Sequence, residues 1–505
     1  MAILYISTPA GAGLANDSAA YIAGARSILQ GKGYSDVWLD SSLEAITHYP
    51  PFLSLCLAGL GLFGVDPLRG ARILNIILFG ANTILIGLLG WRMTRSRAAG
   101  LWLAALFMLD ASLLRVHLFA MSEAPYITLS LAAFILFELY FSRQRQTSML
   151  ILAGVASGLA FLTRYSALAL LPTFILALFL FNNTPTGHVW RARLTASGLF
   201  LAGALPWMAV WFVRNMLAAG NATNRTFQYH PITADNIQPG FFNTSQFLMP
   251  VEAWRQVLAK AGLWEWFIAF LGLAVLFWLA GRTWQLIKSQ RSAPASGILT
   301  FTTGLYGFGY LCAVLFSMSF FDASTKFQPR ILAPVYVCLL VLMVAFGTWL
   351  WQKNNRASRI FVMTLAAVTL GFSAYGSAQA VADFKTAGQG YASWKWHDSV
   401  IMASLKALPA GVAIYTNTPP AVYLVTGRAS RVLPTPVDPV DNHARNDYKQ
   451  NVAEMRADLL SGKAVLALFD TSNLEDALGT QNIDFQTTGL KIIQKTQGDI
   501  LYGKP

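Results

Sequence analysis

The chain holds 505 residues, 55% of them hydrophobic and 12% charged, with 37 Lys and Arg against 24 Asp and Glu for a formal net charge of +13. A soluble domain is about a quarter charged, so a soluble globular enzyme is excluded for most of the length. The basic excess has no nucleic-acid motif beside it, and no nucleic-acid partner is expected.

The opening MAILYISTPAGAGLA is too short and glycine-rich to cross a bilayer. It lacks the basic start of a signal peptide and reads as the outer half of a truncated first helix. In LANDSAAYIAGARSILQGKGYSD (14–36), Asp17 opens a helical pattern with Tyr21, Ala25, Ile28 and Leu29 on one stripe, closed by Gly31. Asp is a favoured N-cap. A carboxylate at a helix start on a membrane surface can also accept the proton of an attacking hydroxyl, and the helix dipole favours its ionised form. The two roles are compatible. His48 and Tyr49 precede PPFLSLCLAGLGLFG (50–64), which opens on two prolines and reads as an interfacial or re-entrant helix.

Charge-free stretches of spanning length follow at 73–91, 165–187, 194–213, 292–321, 331–352 and 360–382. Shorter or singly charged candidates lie at 98–114, 124–141, 149–163 and 266–281. A spanning helix needs about 20 apolar residues, so the pattern predicts about eleven transmembrane helices including the first. The three cysteines, Cys56, Cys312 and Cys338, sit in apolar segments and outline no disulfide framework.

Five connections, WRMTRSR (91–97), SRQRQ (142–146), WRAR (190–193), GRTWQLIKSQR (281–291) and QKNNRASR (352–359), hold 13 Lys and Arg and no acid. The positive-inside rule places them in the cytoplasm. Residues 17–49, the turn at 121–122, the long segment 215–265, residues 320–329 and the tail then fall outside.

On that outer side Glu123, in MSEAPYITL, opens a span with Ser122 before it as cap and Pro125 in its first turn. A first-turn acid suits the helix dipole, but an acid at a membrane span is also a functional candidate. Asp110 and His117 flank the same end and read as interfacial. Arg330, in FDASTKFQPRILAPVY, starts a span where topology asks for no cation, and Lys326 lies four residues earlier. Two such cations can snorkel to headgroups or clamp a lipid phosphate. Arg164 in FLTRYSAL and Arg214 in PWMAVWFVRN fall outside by the same parity. NAT (221–223), NRT (224–226) and NTS (243–245) match the glycosylation sequon, a frequent chance match.

From 383 to 505 the chain carries 12 basic and 12 acidic residues, so the whole +13 belongs to residues 1–382. Strands are expected at VAIYT (412–416), KAVLALFD (463–470) and LKIIQKT (490–496), with helices before and after the first. This is a small α/β domain with no phosphate loop, metal spacing or catalytic triad. A scaffold or acceptor-contacting role is expected of it.

In this order, NDSAAYIAGARSILQGKGY, HYPPFLSLCLAGLGLFG, ARILNIILFGANTILIGLLGWRM, SEAPYITLSLAAFILF, GLAFLTRYSALALLP, LPWMAVWFVRN and PRILAPVYVCLLVL resemble the GT-C superfamily of integral-membrane glycosyltransferases. The nearest branch is that of the protein O-mannosyltransferases and aminoarabinose transferases, and the likeness spans nearly all of 14–350. The tail, with IYTNTPPAVYLVTGR, resembles the periplasmic domain of bacterial members. The resemblance implies a polytopic α-helical membrane protein in the bacterial inner membrane. Residues 1–382 would form the catalytic domain, with outer juxtamembrane helices at about 17–64, and residues 383–505 an exoplasmic α/β domain. It implies inverting transfer of a sugar from a polyprenyl-phosphate donor to a hydroxyl of a glycan, lipid or protein.

Asp17 falls on the family's general base, Glu123, the second catalytic candidate, on the acid that opens a later span, and Arg330 on the cation before the LAP helix. Lys326, Arg164, Arg214, His48 and Tyr49 are the accompanying candidates for donor phosphate and substrate. Ser18 stands where O-mannosyltransferases carry a second acid, and Tyr49 stands where aminoarabinose transferases carry a lysine before proline. With no Asp-x-Asp near Asp17, no metal or other cofactor is expected. The alternative reading is a transporter or flippase of lipid-linked sugars, although no repeated halves with matching broken helices are visible.

Overall fold

The computed structural model describes the chain except for residues 41–43, 143–144, 183–188, 224–226, 261, 289–293 and 438–442. Parts of the basic connections 142–146 and 281–291, and the NRT sequon, lie outside the described residues. Apolar stretches become helices because hydrocarbon offers no partner to backbone N–H and C=O groups. The first elements are α1 (Ala2–Ser7), α2 (Asn16–Leu29) and α3 (Phe52–Gly61). Next come α4 (Pro67–Thr94), α5 (Arg97–Leu109), α6 (Ala111–Leu118), α7 (Glu123–Ser142) and α8 (Thr147–Phe161). A 3-10 turn, Tyr165–Ala169, leads into α9 (Leu170–Phe181) and then α10 (Val189–Ala219). The long segment 215–265 contains α11 (Ala234–Leu248) and α12 (Glu252–Lys260). The helical part closes with α13 (Leu263–Lys288), α14 (Ala295–Phe320), α15 (Pro329–Gln352) and α16 (Arg356–Ala387).

Seven helices among the described residues, α4, α7, α10 and α13 to α16, are long and apolar enough to cross a membrane, and the bent pair α5–α6 makes an eighth. This is fewer than the eleven expected. The stretch 98–114 is bent by 60° because Asp110 takes an extended backbone and its Oδ1 accepts the Leu113 N–H at 2.8 Å, starting a new helix. The stretch 165–187 opens on the 3-10 turn, and the helix over 149–163, Thr147–Phe161, has only 15 residues. At ten residues, about 15 Å, α3 falls well short of a bilayer core.

The chain divides into two bodies. The first comprises residues 1–7, 73–118 and 122–383. Its tightest seam joins α8 to α10. A Cβ on Gly154 would sit 2.1 Å from the Phe200 carbonyl, and one on Gly203 would sit 2.2 Å from that of Ile151. Small residues let the two backbones touch, which is how helices associate where lipid is as apolar as leucine. Around the seam Phe137 stacks on Phe174 at 4.4 Å, and Phe200 meets the edge of Phe174.

The second body comprises residues 8–72, 119–121 and 384–505. Its helices are α2 and α3, then α17 (Trp394–His397), α18 (Val400–Ala407), α19 (Pro419–Thr426), α20 (Tyr448–Ser461), α21 (Thr471–Leu478) and α22 (Thr480–Thr487). The strands are β1 (Ala413–Thr416), β2 (Arg431–Val432), β3 (Ala464–Leu468), β4 (Lys491–Lys495) and β5 (Ile500–Gly503), in the order β2-β1-β3-β5-β4. Strand β1 runs parallel to β2 and β3, and β5 is antiparallel to β3 and β4. β3 is buried throughout because helices cover both its faces. Val465 and Ala467 pack with Ile401 and Val422, while Leu466 and Leu468 pack with Val452 and Met455.

Residues 8–72 group with the tail and not with the bundle. Parallel bridges pair Leu14 with Gly390 and Leu39 with Ser430. Arg431 holds Asp40 at 3.0 Å and Asp458 at 2.9 Å, and α2 packs on α19.

Candidate active-site residues

Asp17 is the second residue of α2 and does not cap it. The residue before the helix is Ala15, and the side chain that reaches back is Ser18, whose Oγ accepts the Ala15 N–H at 3.0 Å. The N-cap expectation is thereby corrected: the Asp17 carboxylate stands in the first turn, where negative charge suits the dipole. It is half-buried, and its Oδ1 accepts a hydrogen bond from the Tyr49 hydroxyl at 3.2 Å. Tyr49 is itself fixed. Its ring meets Tyr21 edge-on at 5.5 Å and His48 at 5.6 Å, and its carbonyl accepts the Tyr34 hydroxyl at 3.0 Å. Ser54 of α3 ties back to the Tyr21 carbonyl at 2.9 Å. Asp17, His48 and Tyr49 thus form one cluster within the second body.

Glu123 and Arg164 meet within the first body. Glu123 begins α7 with a side chain 1% exposed, and Arg164, just past the end of α8, donates Nη1 to its Oε1. Ser122 Oγ lies 3.5 Å from the same Nη1. The second oxygen of Glu123 is buried with no hydrogen-bond partner among the described residues. The Arg164 side chain is 19% exposed, so the cation reaches the surface that the acid does not.

The start of α7 is fastened from behind. Asn82 Nδ2 donates to the Ala124 carbonyl at 3.1 Å and lies 2.9 Å from His117 Nε2, while His117 Nδ1 lies 2.7 Å from the Leu113 carbonyl. A carbonyl can only accept, so Nδ1 carries the proton and Nε2 accepts from Asn82. His117 and Asp110 are both buried.

The other cations share this end of the bundle, at the starts of α7 and α15 and the ends of α8, α10 and α14. Arg214 lies over Trp211 at 5.3 Å, and Trp211 Nε1 donates to the Tyr165 hydroxyl at 2.8 Å, next to Arg164. Arg330, in the first turn of α15, donates Nε to Gln328 Oε1 at 3.2 Å. Lys326 is exposed and has no side-chain partner among the described residues. Tyr310 on α14 donates to the Ile331 carbonyl at 2.9 Å, and the hydroxyls of Tyr126 and Tyr306 bond to each other. Asn82 and these tyrosines escape the sequence reading, although a polar residue inside an apolar run, as in FGANTIL, is the available signal. So does Glu138, buried near the other end of α7 and paired with Arg92. Of the sequon asparagines, Asn243 is buried and donates to the Phe327 carbonyl at 2.8 Å, which leaves it unavailable to a glycan. Among the described residues no group of three or more His, Cys, Asp and Glu is placed to hold a metal ion.

Residues 47–216 match the dolichyl-phosphate-mannose-protein mannosyltransferase family. No curated protein sequence matches the chain. Among solved structures the apo form of ArnT from Cupriavidus metallidurans superposes with a TM-score of 0.55 at 13% identity, over 99% of this chain and 95% of that one. ArnT bound to undecaprenyl phosphate gives 0.54 at 14% identity, over 99% and 96%. The archaeal oligosaccharyltransferase AglB from Archaeoglobus fulgidus, in complex with an inhibitory peptide and a dolichol-phosphate, gives 0.55 at 13% identity, over 100% and 73%. The chain therefore has the GT-C glycosyltransferase fold: a multi-pass helical membrane protein with a small α/β domain at its C-terminal end.

Proposed function

We propose that this protein moves a sugar from a polyprenyl-phosphate donor to an acceptor hydroxyl, with inversion, at the outer face of a bacterial inner membrane. The observation that carries the reading is the Asp17–Tyr49 pair. The Tyr49 phenol holds the carboxylate in place, and a positioned carboxylate is what deprotonation of an attacking hydroxyl requires. The acceptor oxygen attacks the anomeric carbon while the bond from that carbon to the phosphate oxygen breaks. Asp17 takes the hydroxyl proton, and the polyprenyl phosphate leaves with the electron pair. A single displacement inverts the anomeric centre.

The leaving phosphate gains charge as it departs, and cations aimed at it lower the barrier. Arg164, Arg330, Lys326 and Arg214 are assigned that work, supported by their gathering at one end of the bundle. Glu123 then orients Arg164 and does not react. The ligands of the similar structures, undecaprenyl phosphate on ArnT and a dolichol-phosphate on AglB, support a lipid phosphate as the donor's carrier. No step is assigned to a metal, because Ser18 stands where a second acid would be.

The test offers purified protein in nanodiscs a panel of radiolabelled polyprenyl-phosphate sugars with hydroxyl acceptors. Turnover of one donor, unchanged by EDTA, is expected. Folded protein that neither binds nor turns over any polyprenyl phosphate overturns the reading.

A further inference from the structure

The loop that carries Lys326 and leads to Arg330 is held by one face of α11. Asn236 occupies the third helical position after Thr233, and its side chain is used completely. Its Oδ1 accepts the Thr233 N–H at 2.9 Å and hydroxyl at 2.8 Å, while Nδ2 donates to the Ala323 carbonyl at 3.0 Å and the Thr325 carbonyl at 2.8 Å. Its own carbonyl accepts the Phe327 N–H at 3.0 Å. Two turns on, Asn243 Nδ2 donates to the Phe327 carbonyl at 2.8 Å. Between them Gly240 lies so close that a Cβ there would stand 2.9 Å from Phe327 Cβ. At the end of the stripe Phe247 stacks on Tyr336 of α15 at 4.3 Å, with planes 6° apart. Positions 236, 240, 243 and 247 recur at helical spacing, so a single face of α11 meets the loop and the helix it feeds.

Both asparagines and Phe327 are buried, whereas Lys326 between the anchored residues is exposed. The backbone on each side of the cation is therefore fixed while its side chain is presented outward. A charge on an anchored loop costs less to bring into place than one on a loose loop, because the ordering is done before the ligand arrives.

We propose that α11 is a positioning element for the donor phosphate, with Asn236 and Asn243 as positioning residues that act through Lys326 and Arg330. The proposal rests on the reading that these two cations contact the phosphate. Neither asparagine need touch the donor itself.

The test measures equilibrium binding of undecaprenyl phosphate to the full chain in nanodiscs, independent of turnover. The proteins are wild type, Asn243→Ala, Asn236→Ala, Lys326→Ala/Arg330→Ala, and the combination of each asparagine variant with the cation pair. Asn243→Ala, which loses one bond to the loop, is expected to weaken binding about three- to tenfold, as for one ordinary hydrogen bond, and Asn236→Ala, which loses two, by more. In the background lacking both cations the same substitutions should have no further effect, a non-additivity that general loosening of the fold does not produce. Gly240→Ala, which must push Phe327 aside without removing a hydrogen bond, should weaken binding in the same way.

If the cation pair matters but both asparagine variants and Gly240→Ala bind like wild type, the role of α11 is overturned while the phosphate reading stands. Equal losses with and without the cations also overturn it, assigning α11 to folding alone. If removing both cations leaves binding unchanged, the phosphate contact itself is wrong and the proposal falls with it.

Discussion

Asp17 and Glu123 are both acids in the first turn of a helix, and a helix dipole favours each alike. Their surroundings separate them. Asp17 is half-buried and is held by the phenol of Tyr49, whereas Glu123 is almost wholly buried and is held by the guanidinium of Arg164. A half-buried acid can be reached by a hydroxyl from solvent. An acid sealed against a cation has its charge engaged by that partner, since taking both ions from water is repaid only where they meet. The position of an acid along a helix therefore does not assign its work; its partner and its exposure do.

The largest effect should come from the half-buried acid. Asp17→Asn keeps the shape and the Tyr49 contact but cannot take a proton, so the transfer rate should fall about a thousandfold while the melting temperature hardly moves. An Asp17→Asn protein that keeps transfer within about tenfold of the wild-type rate would end the assignment of Asp17 as the base, since general-base catalysis is worth more than that.

The buried acid should show the reverse pattern. Arg164→Ala leaves Glu123 buried without its counter-charge, at a cost of about 3 kcal/mol in unfolding experiments. Replacing both residues with leucine should recover most of that loss. Helix α7 supplies an internal control, since Glu138 and Arg92 repeat the pair about 22 Å further along the same helix. Arg92→Ala should destabilise to a similar degree but leave undecaprenyl phosphate binding unchanged, whereas Arg164→Ala should weaken both. Equal effects of the two substitutions on binding would remove Arg164 from the phosphate site.

Much of this arrangement is legible in the sequence, and the part that is not has a physical reason. The spans and the strands VAIYT and KAVLALFD show because burial demands apolar runs, whereas LKIIQKT shows by its β-branched Ile492 and Ile493 although both are exposed. Strand β2, Arg431–Val432, does not show, because two residues hold no period and are fixed by pairing with β1. Loop charge places Glu123 and Arg164 on one side of the membrane, but not which cation meets which acid; that follows from the packing of α7 on α8. The bend at Asp110 is hidden because 98–114 is apolar enough for one helix, and a single capping contact breaks it. Asn236 and Asn243 are invisible in a polar segment, since their value lies in distant backbone carbonyls.

A smaller effect tests the neutral donor beside Asp17. Tyr49→Phe removes one hydrogen bond to a charged acceptor, worth about 1–2 kcal/mol, and should slow transfer about five- to thirtyfold with little change in donor KM. A rate equal to wild type would show that the rings of Tyr21 and His48 suffice to hold the site, and the phenol would lose its part in the comparison.

Asp36 extends the comparison to an acid that is partly buried and paired with no cation among the described residues. It sits on a strap in which its N–H bonds the Glu44 carbonyl at 2.7 Å and the Ile46 N–H bonds the Tyr34 carbonyl at 3.1 Å. Burial pushes its carboxyl up to about 6, with repulsion from Glu44 adding to the rise, against the N–H groups of Trp38 and Leu39 that hold it down. Because the folded value lies above the unfolded one, the folded strap binds the proton more tightly. Its stability is therefore greatest below about pH 4 and declines as pH rises through about 6. Amide exchange over residues 34–40 and 44–46, corrected for its intrinsic pH dependence, should accelerate between these limits in wild type and stay flat in Asp36→Asn. Asp17→Asn should leave that acceleration intact. If Asp36→Asn accelerates as wild type does, the pH response belongs to another group, and burial without a cation is not what sets Asp36 apart from Asp17 and Glu123.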